Sequence, residues 1–314
     1  LEFKNGALNY NMNWYYGPAK YEILNDYDKN LDEILPLGWG IFGWINRYIF
    51  IPVFGFISAL GVGYGIAIVL FTILVRIVMS PVTYKSYLSQ AKMKVLRPEI
   101  AELNEKFKDN PMKKQQETMK LYSKAGVNPM AGCLPALMQM PIFYALFQFF
   151  PSMFDLRQKS FLWADDLSSY DSIYQLPFHI PFYGSHVSLF PILASIAIFF
   201  YMKMTTGDQA MSTPPQEGMP DMGKIMKIMI YISPIMMLFF FNNYASGLSL
   251  YYFVSNLITI GIMLVIKNYI VKEDKIHAQI QENKTKEKTE SKFQRKMREM
   301  MEQAEAQKAA QKKK

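Results

Sequence analysis

The sequence has almost none of the residues that enzymes use to bind metals or to attack substrates. It contains one cysteine, Cys133, and three histidines, His179, His186 and His277. A single cysteine excludes an internal disulfide framework. The chain also lacks the GxxxxGK[ST], HExxH and GxSxG motifs of nucleotide-binding and hydrolytic sites. We therefore predict that the protein is not an enzyme and that it has no catalytic residues, no metal and no cofactor.

Charged residues make up only 19% of the chain, and they are nearly missing from several long apolar blocks. A helix of about 20 apolar residues is long enough to cross the hydrocarbon core of a bilayer. The blocks predict an all-α membrane protein with five transmembrane helices. The five spans are predicted over residues 62–80, 130–150, 187–204, 225–241 and 248–266.

One charge lies inside the first span, at Arg76. A charge at the centre of a membrane helix costs about 2.5–3.5 kcal/mol on insertion scales, so it is a functional hypothesis by default. The predicted spans contain no Asp or Glu to neutralise it. Two interpretations remain open: either Arg76 extends its side chain to the nearby interface, or it lines a water-filled cavity together with Gln139, Asn256 and the span hydroxyls.

The basic residues outside the spans are distributed unevenly. Residues 82–128 contain ten Lys or Arg and the tail 267–314 contains fourteen, whereas residues 152–186 contain two. Cytoplasmic loops are enriched in Lys and Arg. We therefore predict a cytoplasmic C-terminus and, because the number of spans is odd, an N-terminus on the other side of the membrane.

The segments between the spans have patterns of their own. Residues 82–128 predict a basic, amphipathic helical hairpin on the cytoplasmic side, interrupted at Pro98. Residues 205–223 predict a flexible connection rich in Gly, Pro, Ser and Thr. The segment 271–314 predicts a basic cytoplasmic tail. Its charge, like that of the hairpin, fits an orientation signal, contact with anionic lipids or contact with ribosomal RNA.

The N-terminal part of the chain predicts two further segments. Leu8 to Trp14 alternate apolar and polar residues, which is typical of a half-buried strand. Residues 1–36 are therefore predicted to be the end of a β-domain on the outer side followed by an acidic linker. Residues 37–58 combine Trp, Tyr and Pro with apolar residues, which favours an amphipathic helix at the membrane interface over a full span. Residues 59–270 form the predicted five-helix core.

Several motifs, in the order in which they occur along the chain, resemble those of the YidC/Oxa/Albino family of membrane-protein insertases. They are Leu74-Val-Arg-Ile-Val-Met-Ser-Pro81 with Ala91-Lys-Met-Lys-Val-Leu-Arg-Pro98, Val127-Asn-Pro-Met-Ala-Gly-Cys-Leu-Pro135 with Gln139-Met-Pro-Ile-Phe143, Phe161-Leu-Trp-Ala-Asp-Asp-Leu-Ser168, and Ser246-Gly-Leu-Ser-Leu-Tyr-Tyr-Phe-Val-Ser-Asn256. The resemblance extends across residues 37–270. It is closest to the Gram-negative type, without its first helix and most of its periplasmic domain.

The resemblance implies a core with a hydrophilic groove that opens toward the cytoplasm and lipid and is closed on the outer side. The family's groove arginine falls on Arg76. The other groove residues that we expect to contact the substrate are Thr72, Gln139, Tyr251, Tyr252 and Asn256. The implied function is to insert nascent membrane proteins and help them fold, alone or with the Sec translocon.

The resemblance also implies the partners and the location. The partners are nascent membrane proteins, the ribosome (through the tail and the hairpin), Sec components and the bilayer, with no role for DNA. The location is the inner membrane of a Gram-negative bacterium. The alternative function is a small-molecule secondary transporter, which needs internal repeats and a midplane site. A third possibility, an intramembrane enzyme, lacks a nucleophile–base pair.

Overall fold

A computed structural model describes residues 12–27, 29–108, 111–128, 134–210, 222–270 and 273–285. The chain is mostly helical over these residues, with one small antiparallel sheet. The α-helices are α1 Tyr21–Asn25, α2 Gly40–Ile45, α3 Ile51–Ala59, α4 Tyr64–Val95, α5 Arg97–Lys106, α6 Pro111–Ala125, α7 Leu134–Ser152, α8 Leu189–Ala210, α9 Met222–Phe241, α10 Ser246–Val265 and α11 Glu273–Thr285. The strands are β1 Tyr174–Ile180 and β2 Gly184–Val187.

Four helical stretches are long and apolar enough to cross a membrane, and a fifth is apolar but shorter. The four are Gly40–Ala59, Tyr64–Val95, Lys224–Phe241 and Ser246–Tyr269, and the shorter one is Leu189–Thr205. Each of the five predicted spans corresponds to a helix (α4, α7, α8, α9 or α10). These five pack together and are called the bundle below. The predicted interfacial segment 37–58 is also helical and is itself long enough to span.

Helix α4 does not end at Pro81, where the predicted span ends, but continues to Val95. Proline removes the backbone N–H that would bond the carbonyl four residues earlier, here that of Ile77. The Ser80 hydroxyl donates to this carbonyl at 2.8 Å, so the break in the ladder is partly repaired. The predicted interruption at Pro98 does appear, since α4 ends at Val95 and α5 begins at Arg97.

An aromatic core fills one half of the bundle. Phe71, Phe149 and Tyr251 are fully buried and pack with Phe50 and Phe54 from the α2–α3 segment. Asn46, buried in the same segment, donates to the Leu37 and Ala145 carbonyls at 2.7 and 2.8 Å. The α2–α3 segment is therefore fixed against α4 and α7 by aromatic contacts and by two buried hydrogen bonds.

The end of the bundle nearest the aromatic core is covered by residues 153–188 and by the turn 242–245. We call it the capped end. The backbone N–H groups of Ser246 and Gly247, at the start of α10, donate to the Ser169 and Leu167 carbonyls at 2.6 and 3.0 Å. These bonds satisfy donors that a helix N-terminus leaves free. Gly65 of α4 is pressed against the Phe161 ring and has no room for a side chain.

A second, smaller core lies at the other end. Met93, Leu96, Ile100, Ala125 and Val127 are buried there together with Ile276 and Ile280 of α11. The Asn283 amide donates to the Ala125 carbonyl at the end of α6 at 3.3 Å. Gly126 follows α6 with a φ of +66°, as expected for a glycine after a helix C-terminus.

Two expectations require correction, and the predicted β-domain remains untested. The strand predicted from Leu8 to Trp14 lies mostly in residues 1–11, outside the described part of the chain; Met12 to Trp14 belong to no strand, and Tyr21–Asn25 is a short helix. The sheet that the structure does describe lies at 174–187, where no strand is predicted. Helix α8 extends to Ala210, beyond the expected end at residue 204.

Candidate functional site

A cavity of about 420 Å³ lies inside the bundle, between the aromatic core and the second core. Water occupies about 30 Å³ per molecule in the liquid, so the cavity has room for several. Some of its lining residues come from the middles of the helices. The others come from α4 beyond Pro81 and from the ends of α7–α10 that lie nearest the second core. The cavity therefore begins near the bundle centre and extends away from the capped end.

Arg76 lines this cavity, and its side chain is half-buried. The guanidinium Nε donates to the Ser255 hydroxyl of α10 at 2.5 Å. No acidic residue is among the described residues that line the cavity. The Arg76 guanidinium thus bonds within the bundle and presents to the cavity a positive charge that no described lining residue neutralises.

Three buried polar atoms near Arg76 have no hydrogen-bond partner among the described residues. They are Gln139 Nε2, the Tyr251 hydroxyl and the Tyr252 hydroxyl. Most buried polar side-chain atoms in folded proteins are paired with protein or water, so each exception needs an explanation. Gln139 and Tyr252 line the cavity. Their polar atoms lie close enough to interact with each other, and they can also bond water or the polar atoms of a bound chain.

The six residues expected at the groove separate into two groups. Arg76, Gln139, Tyr252 and Asn256 all line the cavity. Thr72 and Tyr251 are fully buried and are not part of its lining. Thr72 donates to the carbonyl of Ile68, four residues earlier on α4, at 2.7 Å. Tyr251 belongs to the aromatic core that closes the inner end of the cavity.

Polar residues that the sequence prediction omitted also line the cavity. Thr83, Ser86 and Gln90 lie on the part of α4 beyond Pro81, and Tyr201 and Thr205 lie near the end of α8. The α4 residues were assigned to a separate hairpin, which hid their relation to Arg76. The spacing 76, 79, 83, 86 and 90 is that of one helix face, and it would have identified them had α4 been predicted to continue.

Methionine forms the apolar part of the lining. Every helix of the bundle contributes at least one, and the full set is Met79, Met140, Met202, Met226, Met237 and Met263. Methionine is unbranched and flexible, so it can adapt to partners of different shape. The cavity therefore combines one cation, several hydroxyl and amide groups, and an adaptable apolar surface. Among the described residues, no group of three or more His, Cys, Asp or Glu could hold a metal ion.

Comparison with known proteins assigns this architecture to a family. The family model described as "60Kd inner membrane protein" matches residues 55–275, which include the whole bundle and the second core up to the start of α11. The chain belongs to this family. The family has an inner-membrane location, and the several apolar helices of the chain make it a multi-pass inner-membrane protein. The expected family is therefore confirmed.

The chain is also similar to curated proteins that bear the name membrane protein insertase YidC. It is 48% identical to the protein of Parabacteroides distasonis over 290 residues, which cover 88% of this chain and 44% of the relative. It is 45% identical to that of Amoebophilus asiaticus, with 87% and 44% covered. It is 44% identical to that of Porphyromonas gingivalis, with 87% and 45% covered. The chain thus spans less than half the length of the curated relatives it matches.

Proposed function

We propose that the chain forms the core of a membrane-protein insertase, which moves short polar segments of nascent membrane proteins across the bilayer and helps them fold. One observation carries the proposal: Arg76 lines a cavity inside an apolar bundle, and none of the described residues around that cavity is acidic. A charge inside a membrane bundle is usually neutralised by an acidic residue or serves a function. The insertase name of the relatives supports the same function, and no observation favours the transporter alternative.

The cavity would act by shortening the hydrocarbon path that a polar segment must cross. Arg76 would attract acidic groups of that segment, while Gln139, Tyr252 and Asn256 would bond its polar atoms. The membrane potential contributes about 2.3 kcal/mol per elementary charge per 100 mV. This contribution favours outward movement of acidic groups. No covalent step and no nucleotide are required.

The apolar part of the substrate would follow the methionines and then leave toward lipid. Met226 and Met237 of α9 line the cavity, whereas Met229 and Met236 are exposed on the outside of the same helix. Leu137 and Met138 of α7 are also exposed. Helices α7 and α9 therefore offer a path from the cavity to the bilayer on which apolar contact is maintained.

In this proposal α4, α7, α8, α9 and α10 are the five spans, and the segment 37–58 lies at the outer interface. Orientation follows from the basic residues of 82–128 and the tail. The capped end would face outward, with the N-terminal residues, and the second core would be cytoplasmic. Helices α5 and α6 would form a cytoplasmic hairpin that receives the substrate. The hairpin and the tail would contact the ribosome, and the core would work alone or beside Sec components.

The test is complementation in cells depleted of the native insertase, with insertion of a reporter protein as the readout. We expect Arg76→Ala to reduce insertion of substrates with acidic translocated segments severalfold. Arg76→Lys should retain more activity, because it keeps the charge and loses only the bidentate geometry. Lys85→Ala is the matched control, since Lys85 is an exposed cation nine residues further along α4. Full insertion of every substrate by Arg76→Ala would contradict the proposal.

Crosslinking to a stalled nascent chain tests the path directly. Photoreactive residues at Arg76 and Gln139 report on the cavity, and one at Met229 reports on the outer surface of α9. We expect short nascent chains to crosslink first from the two cavity positions and longer ones from Met229. Crosslinks from Met229 alone at every length would indicate that the substrate bypasses the cavity.

A further inference from the structure

The β1–β2 hairpin at the capped end is attached rigidly to the ends of two bundle helices. Asn242, which follows α9 directly, is fully buried. Its side-chain amide donates to the Tyr183 and His186 carbonyls at 2.8 and 2.9 Å, and its oxygen accepts from the Ser188 N–H at 3.1 Å. His186 Nε2 lies 2.8 Å from the Asn242 carbonyl, which can only accept, so the imidazole donates. The hairpin therefore cannot move independently of α9.

The start of α8 holds the hairpin from the other side. Asp171, just before β1, accepts from the Leu189 and Phe190 N–H groups at 2.8 and 3.0 Å. The same carboxylate oxygen accepts from Trp163 Nε1 at 3.0 Å. Strand β2 ends at Val187, two residues before α8 begins. The hairpin thus lies at the level where α8 begins and α9 ends.

Despite this attachment, the hairpin exposes its aromatic residues. The exposed fraction of the residue is 61% for Tyr174, 60% for Phe178 and 90% for Phe182 at the tip. Between residues 170 and 187 there is no Lys, Arg or Glu, and the one acidic residue, Asp171, is buried. Exposed apolar patches of this kind mark contact surfaces, and an uncharged aromatic surface is typical of the bilayer interface.

This surface continues into the outer face of α9. Ile228, Ile232, Ile235 and Phe239 are exposed on α9 at helical spacing, so they form a single stripe. The Phe239 ring contacts the Tyr183 ring of the hairpin, with centroids 5.3 Å apart. A continuous apolar surface therefore extends along α9 onto the hairpin. Helix α9 is itself long and apolar enough to span the membrane.

We propose that the β1–β2 hairpin is a lipid-binding anchor whose aromatic residues Tyr174, Phe178 and Phe182 insert into the headgroup region of the bilayer around α8 and α9. The occupant of the surface is phospholipid. Tyrosine and phenylalanine side chains would sit between the headgroups and the upper acyl chains, and the turn at Phe182 would reach furthest. The anchor fixes the depth of the capped end relative to the bilayer and does not depend on the proposed insertase activity.

The experiment places one fluorescent probe at Phe182 in the full chain. The natural cysteine is replaced by Cys133→Ser, Phe182→Cys is labelled with an NBD dye, and the protein is reconstituted in phosphatidylcholine–phosphatidylglycerol vesicles. Spin-labelled lipids carry the quencher on the headgroup or deep in the acyl chain. The matched control is Ser169→Cys, an exposed polar position at the same end of the bundle. Because the side chain of Phe182 is almost fully exposed, the substitution leaves the core intact.

We expect blue-shifted emission at position 182 and severalfold stronger quenching by the headgroup label than by the deep label. Position 169 should be quenched mainly by aqueous iodide. Equal quenching of both positions by iodide would overturn the proposal. A second result would also overturn the proposal: no lipid label quenches the probe at 182, and in detergent the probe becomes shielded from iodide as the protein concentration rises. The surface would then bind a second copy of the chain.

Discussion

The side chain of Arg76 could have reached the membrane surface or turned inward, and its contacts favour the inward position. Its Nε bonds Ser255 on α10 rather than a group at the edge of the bundle. A charged hydrogen bond of this kind contributes about 1.5–3 kcal/mol, which is similar to the cost of placing the charge in the membrane. The hydrogen bond can therefore hold the guanidinium in place while leaving its charge available to a ligand.

Asp171 permits a prediction about pH. Burial raises the pKa of its carboxyl group above the ordinary value of 3.8, against the opposing effect of its hydrogen bonds with Phe190, Trp163 and Leu189. The folded state therefore holds this proton more tightly than the unfolded state. The stability that this raised pKa contributes is fully present below pH 3.8. It is lost as the pH rises through the pKa of the carboxyl group in the folded state. We expect Asp171→Asn to flatten this part of the pH profile of thermal unfolding in detergent.

Asp171→Ala is the matched comparison for that experiment. It removes the acceptor for three donors, and leaving one buried donor unpaired costs about 1–3 kcal/mol. We expect a clear fall in the free energy of unfolding at every pH, whereas Asn keeps one oxygen that can accept. The fluorescence of Trp163, which donates to this carboxylate, reports the local change. An Asn variant with the same pH profile as the wild type would show that another group titrates.

Residue type alone could not decide which polar residues of the spans line the cavity. Arg76, Gln139 and Asn256 were predicted and do line it. Thr72 was also predicted, but its hydroxyl bonds a carbonyl of its own helix, an arrangement open to any serine or threonine in a helix. Which face of a span points inward depends on the neighbouring helices, and those contacts are not written in the local sequence.

At the scale of the element, the long apolar blocks predicted helices, whereas the short segments β1 and α11 were missed. Each of the five apolar blocks overlaps a helix, and three of these helices (α4, α9 and α10) are among the stretches long and apolar enough to span a membrane. Strand β1 was missed because Pro177 argues against a strand, yet β1 has only one partner strand in the described structure. Helix α11 was missed because only Ile276 and Ile280 form its apolar face, within an otherwise polar segment.

Helix α11 gives a prediction for the second core. Ile280 is buried there, and Gln279 beside it is exposed. We expect Ile280→Asp to release α11, because an unpaired buried charge costs about 3–5 kcal/mol. Hydrogen exchange in α6 should then speed up, since its residues Leu121 and Ala125 lose the apolar packing that α11 provides. Gln279→Asp adds the same charge on the exposed face and should leave exchange unchanged.

Equal exchange in the Ile280→Asp and Gln279→Asp variants would mean that α11 does not stabilise α6. The weak apolar stripe predicted further along the tail, at Phe293, Met297, Met301 and Ala304, lies outside the described residues.

At the scale of the whole molecule, the two ends of the bundle should be reached from opposite sides of the membrane. In a Cys133→Ser background, we expect a membrane-impermeant maleimide to label Ser169→Cys at the capped end in intact spheroplasts. Glu102→Cys, exposed on α5, should be labelled only after the membrane is permeabilised. The two positions control for each other. Labelling of Glu102→Cys before permeabilisation would reverse the orientation inferred from the basic residues.

Helix α4 joins regions that are otherwise far apart. Its 32 residues extend about 48 Å at 1.5 Å per residue. They include Gly65 at the capped end, Arg76 at the cavity and Met93 in the second core. A continuous helix transmits displacement along its axis, and α4 bends most easily at Pro81, where one backbone hydrogen bond is missing. A displacement of the second core is therefore either transmitted along α4 to the Arg76 guanidinium or taken up by bending at Pro81, five residues from Arg76.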